Sequence, residues 1–362
     1  MKTNIIFLCA NSENVRERLG YTRAFAKQGF YVSFCENEFS FIDTIQKIEH
    51  QTLAIIHPEP YNSFHTISSW DFNIPTIIFQ WDNFNILTKR ILASKPYDMQ
   101  VICHPRFKQY FHGHGCRKVL VLPWCIDDSL IASNIDFVGQ KKVYDIGWIG
   151  RSDAEFYNQR REILRLILTK EYKINDVDRY YSWEEMFEVF QQSKIVINVS
   201  RDDFAEDANM RCFEAMGCGA LLLTEFPTEL EEIGLNDGIH FATYTSNDDL
   251  IQKINFYLKN ENERCAIAKK GKDEVLHFHT YSTRVASLID FLKVNSKECI
   301  ENNAFRKLSE KEKFYWLAFC FIKDGNLKML LKMIAKTSII RKIQLSKHLF
   351  VLKLKQVKKR LI

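Results

Sequence analysis

SKIVINVSRDDFAEDANMRCFEAMGCGALLLTE, Ser193 to Glu225, reads as strand, polar loop, helix and strand. The apolar run Ile195–Val199 has strand length, and Met210–Met216 has helical character. Gly217 and Gly219 suit the end of that helix, where a left-handed residue is wanted. A second apolar run, Ala220–Thr224, predicts the next strand. The unit places Glu206 in the loop and Arg211 and Glu214 on the helix, with seven residues between the two glutamates. Carboxylates accept hydrogen bonds from hydroxyl groups such as those of ribose or hexose. The backbone N–H groups that open a helix attract a diphosphate, and Arg211 adds a planar cationic fork.

Working outward, the same alternation extends both ways. Before residue 130 the pattern predicts strands at Asn4–Cys9, Phe30–Cys35, Leu53–His57, Pro75–Trp81, Gln100–His104 and Val119–Leu122, with a helix at Val15–Gln28 stopped by Gly29. Residues 131–142 lose the rhythm and read as a linker. The alternation resumes with a strand at Tyr144–Ile149 and helices at Asn158–Leu168, Ser182–Gln192 and Asp248–Leu258. Apolar strands between helices imply mostly parallel sheets covered on both faces. The expected architecture is α/β: two Rossmann-like, doubly wound domains at 1–130 and 143–300, facing a cleft outside the carboxyl ends of their strands. Residues 301–362 form a separate tail.

Charge divides the same way. Of 50 Lys+Arg and 45 Asp+Glu, the last 62 residues hold 16 and 4, leaving 34 and 41 for the body. A mildly acidic body with a strongly basic tail points to an anionic surface as the tail's partner. In that tail Phe314-Tyr315-Trp316-Leu317, Phe319 and Phe321, and apolar residues from Leu327 to Leu345, alternate with Lys and Arg. This composition suits interfacial helices on an anionic membrane. A packed helical subdomain is the alternative, and nucleic acid is not the expected partner. No tract of 18 apolar residues occurs and no secretory leader is visible. The ten cysteines show no regular spacing. The expected location is cytoplasmic, peripheral on the inner membrane face if the tail docks there.

The run Asn209 to Glu225, with the pattern N-x-R-x-F-E-A-x-G-x-G-A-x-x-x-T-E, resembles the donor half of GT-B glycosyltransferases of the family 1/4 type, including the CgeB-like group. The likeness continues through Asp237-Gly238-Ile239 and His279-Thr-Tyr-Ser-Thr-Arg284, covering roughly residues 140–290. It implies transfer of a sugar from a nucleotide-sugar donor, with Glu214 on the donor ribose and Glu206 beside the transferred sugar. Asp207 competes with Glu206 for that place. Asn209 and Arg211 belong to the donor-binding set. Asp145-Ile-Gly-Trp-Ile-Gly150-Arg151 resembles the family's G-x-x-G-R turn, where backbone and arginine hold the donor phosphates. The family's later lysine is missing here, and Arg160 or Arg161 stands in its place. The resemblance also implies metal-independent, retaining chemistry with no cofactor, the nucleotide-sugar being a substrate. The acceptor is expected to be a glycan or a lipid-linked molecule, in surface polysaccharide or lipopolysaccharide assembly. A noncatalytic sugar-nucleotide or glycan-binding protein on the same scaffold is the alternative.

Other residues point less clearly. Asp82, closing a predicted strand, suits a base or a substrate contact, or equally an Asx turn or helix cap. His57 ends another strand. Cys103, His104, His112, His114 and Cys116 match no zinc spacing. Asp176-Val-Asp178 reads as a solvated loop rather than a metal motif.

Overall fold

The structure, a computed structural model, describes residues 3–9, 16–36, 38–48, 51–58, 72–82, 84, 87–132, 142–225 and 229–323. Ten strands run through it: β1 (Asn4–Phe7), β2 (Tyr31–Phe34), β3 (Thr52–Pro58), β4 (Thr76–Gln80), β5 (Met99–Ile102), β6 (Val119–Val121), β7 (Tyr144–Gly147), β8 (Ser193–Ile197), β9 (Leu221–Glu225) and β10 (Ala242–Tyr244). The first six form one parallel sheet in the order β2-β1-β3-β4-β5-β6. The last four form a second, β10-β9-β8-β7. The paired strands are parallel throughout. The inner strands β1, β3, β4, β5, β8 and β9 are largely buried, as parallel sheets under helices require, while the edge strand β2 leaves Tyr31 exposed. The two-domain α/β expectation therefore holds.

Helix Asn158–Leu168 has the expected bounds, and its stripe buries Ile163 and Ile167. Helix Trp183–Gln192 starts with a full capping box: the Ser182 hydroxyl accepts from the Glu185 N–H, and the Glu185 carboxylate accepts from the Ser182 N–H.

The domain boundary differs from the sequence reading. Helix Tyr281–Glu301 leaves the second domain and packs on the first. Tyr281, Val285, Leu288 and Leu292 are buried with Ile5, Phe7 and Phe25 in one apolar cluster. The crossing is fastened by backbone: Ile126 donates to the His279 carbonyl at 3.0 Å, and Tyr281 donates to the Ile126 carbonyl at 3.1 Å. Arg284 donates to the Pro123 and Trp124 carbonyls at 2.9 and 3.2 Å. His279 contacts Arg284 at 2.9 Å. Burial, then that guanidinium, holds the His279 imidazole down at about 3, so it is neutral. The His279–Arg284 motif thus acts as a clasp between the domains. Gly20 lies against this helix, where an added Cβ would sit 2.2 Å from the Tyr281 ring.

The first part of the tail also differs from an interfacial helix. Phe305 and Trp316 are buried among Ile6, Leu8, Phe41 and Tyr97 of the first domain. The apolar residues of 305–318 are spent on this packing, so the packed-subdomain alternative describes them. Residues 324–362, and with them most of the basic tail, lie outside the described residues, as do 133–141 of the linker and the loop at 11–14.

Candidate functional site

The carboxyl ends of the second sheet hold one constellation. Asn209 caps helix Met210–Gly217, its side chain accepting from the Arg211 N–H at 3.1 Å. Its amide donates to Asn198 Oδ1 at 3.1 Å. The Arg211 guanidinium donates to the same oxygen at 3.0 Å. Asn198, just past β8, is tied in turn to Thr224 Oγ1 at 3.0 Å. The turn after β7 comes so close that a Cβ on Gly150 would lie 2.4 Å from Arg211 Nη2. It would also lie 3.6 Å from Arg160 Nη1. Gly150 is therefore the residue that lets backbone reach two guanidinium groups. Arg160 is buried, donating to the Val199 carbonyl at 3.2 and 2.6 Å and to the Arg151 carbonyl at 2.7 Å, with Tyr157 stacked at 4.1 Å.

Burial, then Arg160, lowers Arg211 to about 10, which leaves it cationic at neutral pH. Two guanidinium groups beside a glycine turn and a helix start bring together positive charge and N–H donors of the kind that can hold an anion. Glu214 lies on the same helix and is buried. Arg151 points elsewhere. It is exposed and pairs with Asp153 through two bonds of 3.1 Å. Of the two stand-ins considered, Arg160 reaches this constellation, whereas Arg161 binds the Ser152 and Ala154 carbonyls at 2.7 Å.

A second constellation spans the two domains. His104 follows β5, and its Nδ1 meets Glu229 Oε2, beyond β9, at 2.6 Å. Arg106 pairs with Glu229 at 2.9 Å and with Glu206 at 3.6 Å. Asp207 is buried close by, and its Oδ1 has no hydrogen-bond partner among the described residues. Burial raises Asp207 to about 7, with His104 opposing and Glu229 and Asp82 reinforcing the shift. Aromatic rings wall this place: Phe84 stacks on Phe204 at 4.7 Å, and His104 meets Phe204 edge-on at 5.0 Å. Arg201, held by Asp203 at 2.8 Å, lies over Phe84 and Phe156.

Among the described residues, donor atoms of His104, Asp207 and Glu229 all fall within 4.8 Å of one another, a spacing a cation would fit. Arg106 already supplies the positive charge to Glu229. Glu206 faces Arg106 rather than Glu214. Asp82 is exposed and acts on Asp207 and Arg201 through charge.

His57 is buried against the Tyr97 hydroxyl inside the first domain, away from both constellations. His112 and His114 bond to the Cys116 and Tyr110 carbonyls at 2.9 and 2.8 Å, closing a local turn. Asp176 accepts from the Asp178 N–H at 3.1 Å, an Asx turn. The sequence reading missed Asn198, Arg106 and Glu229 and weighed His104 only as a metal ligand. The available signal was position: each stands just beyond the carboxyl end of a strand or in the loop that follows.

Asp207 is expected to make the fold pH-sensitive. Unfolded, its carboxyl titrates near 3.8; folded, near 7. Between those values the folded state keeps a proton that the unfolded state has lost, so stability falls as pH rises through this window. Asp207→Asn is expected to flatten that fall. Urea midpoints from pH 4 to 8 would check it, and parallel curves for the two proteins would contradict it.

Residues 152–290 match the model of a family described as glycosyl transferase-like. None of the curated proteins matches the chain. Among solved structures, Anabaena Alr3699/HepE in complex with UDP and glucose is similar at 11% identity and TM-score 0.53, over 80% of this chain and 99% of that one. A glycosyltransferase from Rickettsia africae ESF-5 is similar at 12% identity and TM-score 0.52, over 83% and 99%. OtsA in its apo structure is similar at 9% identity and TM-score 0.54, over 81% and 99%. At such identities the likeness speaks to fold, and the fold is GT-B.

Proposed function

We propose that the chain is a glycosyltransferase that moves a sugar from a nucleotide-sugar donor bound in the second domain. The observation that carries this is the meeting of Gly150, Arg211 and Arg160 at the carboxyl ends of the second sheet, within the segment matching the glycosyl transferase-like model. The donor diphosphate sits on the two guanidinium groups and the start of helix Met210–Gly217, with Arg151 at the outer edge. These charges stabilise the leaving nucleoside diphosphate as the glycosidic bond breaks. Glu214 holds the ribose. The sugar reaches toward Glu206 and Asp207, and Asp82 and His104 face it from the first domain.

Asp207 is the stronger candidate for the sugar-side carboxylate, because it is buried beside His104 whereas Glu206 is more exposed and faces Arg106 at 3.6 Å. The HepE complex with UDP and glucose makes UDP the first nucleotide to test. The acceptor is a glycan or a lipid-linked molecule. Residues 324–362, with 11 Lys+Arg and 1 Asp+Glu, favour one held at an anionic membrane.

The test is thermal stabilisation by UDP, GDP, ADP, CMP, TDP and their sugar conjugates, without added metal. A ligand that binds only the folded protein stabilises it by about 2.7 kcal/mol at 100 times its dissociation constant. One diphosphate is expected to stand apart. No shift with any of them overturns the proposal. Transfer from the identified donor to glycan or vesicle-borne lipid acceptors then names the acceptor class.

A further inference from the structure

The opposite edge of the second sheet holds a cavity of about 290 Å³ that the proposed reaction does not use. Lys142 precedes β7, Lys194 is the second residue of β8 and Gly219 precedes β9, so these residues mark the amino ends of the strands. Helix Glu261–Phe278 closes the cavity with a stripe that includes Arg264, Cys265 and Lys272. Among the lining residues five are Lys or Arg and one, Glu261, is acidic.

The cations are unequally compensated. Lys194 has Asp145 at 2.7 Å and Arg264 has Glu261 at 3.0 Å. Lys142 instead donates to the Gln191 and Gly219 carbonyls at 2.7 and 3.1 Å, at two helix C-terminal ends that offset only part of its charge. Burial, then Arg264 and Lys272, lowers Lys142 to about 8. Lys272 reaches over Gly219, whose added Cβ would lie 4.0 Å from Nζ. Like charges crowded into a partly enclosed space repel one another, and a multiply charged anion relieves all of them together.

We propose that this cavity, ringed by Lys142, Arg264 and Lys272, binds a soluble phosphate-bearing small molecule. Its volume lies at the lower end for small-molecule pockets, enough for a phosphate or diphosphate with a small organic group. The site stands against the C-terminal end of helix Met210–Gly217, whose opposite end carries Asn209 and Arg211.

Cys265 gives a readout local to this cavity, because it lines the wall and is exposed. The full chain is alkylated with neutral iodoacetamide, and Cys265 modification is followed by mass spectrometry. The probe is inorganic pyrophosphate, with sodium chloride at matched ionic strength as control. An anion at ten times its dissociation constant slows labelling about tenfold, since about a tenth of the sites stay open. Lys272→Ala and the charge reversal Lys272→Glu are expected to abolish that protection with unchanged labelling in buffer and an unchanged circular dichroism spectrum.

Pyrophosphate bound only at the donor site leaves Cys265 labelling unaltered, so this test is separate from that of the proposed function. Labelling unaffected by pyrophosphate, or slowed equally by chloride, overturns the proposal. So does protection that survives in both Lys272 variants. Protection by phosphatidylglycerol vesicles without protection by pyrophosphate assigns the cations to a lipid headgroup and overturns the soluble ligand.

Discussion

Arg211→Ala is expected to lower sugar transfer by about 10²–10³-fold, the usual cost of removing one preorganised group that stabilises developing charge. The side chain is preorganised from three sides. The Asn209 cap fixes its backbone N–H at 3.1 Å, Asn198 Oδ1 holds the guanidinium at 3.0 Å, and Gly150 leaves room beside Nη2. It is cationic at neutral pH, although burial and then Arg160 lower its affinity for a proton. In the proposed reaction negative charge accumulates on the departing diphosphate, so the loss falls mainly on turnover. Arg211→Lys keeps the charge and loses the fork, and an intermediate loss is expected. Arg151→Ala is expected to cost much less, because Arg151 is exposed and already paired with Asp153. Initial rates with the donor identified by thermal shift, and calorimetric binding of its diphosphate, measure all three. If Arg151→Ala is the more damaging change, the phosphates lie at the outer turn and the inner pair is structural.

Trp316→Ala is expected to destabilise the protein by about 3–5 kcal/mol, the range for removing a large aromatic side chain from a packed core. Trp316 is 1% exposed and shares its cluster with Ile6, Phe41, Ile78 and Phe305. Its ring meets Tyr97 edge-on at 6.2 Å. A second-domain transition, if resolved, should stay near its original midpoint, since the clusters there draw on residues from Ile126 to Val275. Urea unfolding followed by circular dichroism measures the difference. A change below about 0.5 kcal/mol, as for an ordinary surface substitution, would mean that the helix is undocked in solution.

The sequence was most legible where a local rule decides the structure. Asn158–Leu168 follows from the spacing of Ile163, Leu164 and Ile167, and Gly217 and Gly219 announced the close of the helix carrying Arg211. Strand β10 escaped because three buried residues, Ala242–Tyr244, make too short a run to show a period. The destination of helix Tyr281–Glu301 escaped for another reason: an apolar stripe says that a helix packs, not against which sheet. The same limit hid Trp316, whose aromatic and basic neighbours read equally well as a membrane face. In the site, Gly150, Asn209 and Arg211 were visible because a turn and a cap fix them within a few residues. His104 and Glu229 were not, since they stand 125 residues apart and only the closed cleft joins them.

The return of the chain to the first domain sets an order for synthesis. A nascent chain emerging from the ribosome exposes β1 to β6 first, yet two clusters on that sheet wait for Val285, Leu292 and Trp316. The second domain has its complete complement of core residues once Val275 is out. The usual amino-to-carboxyl sequence of domain folding is therefore expected to be reversed. The first-made half is expected to keep part of its apolar sheet surface uncovered until helix Tyr281–Glu301 and Trp316 arrive to cover it.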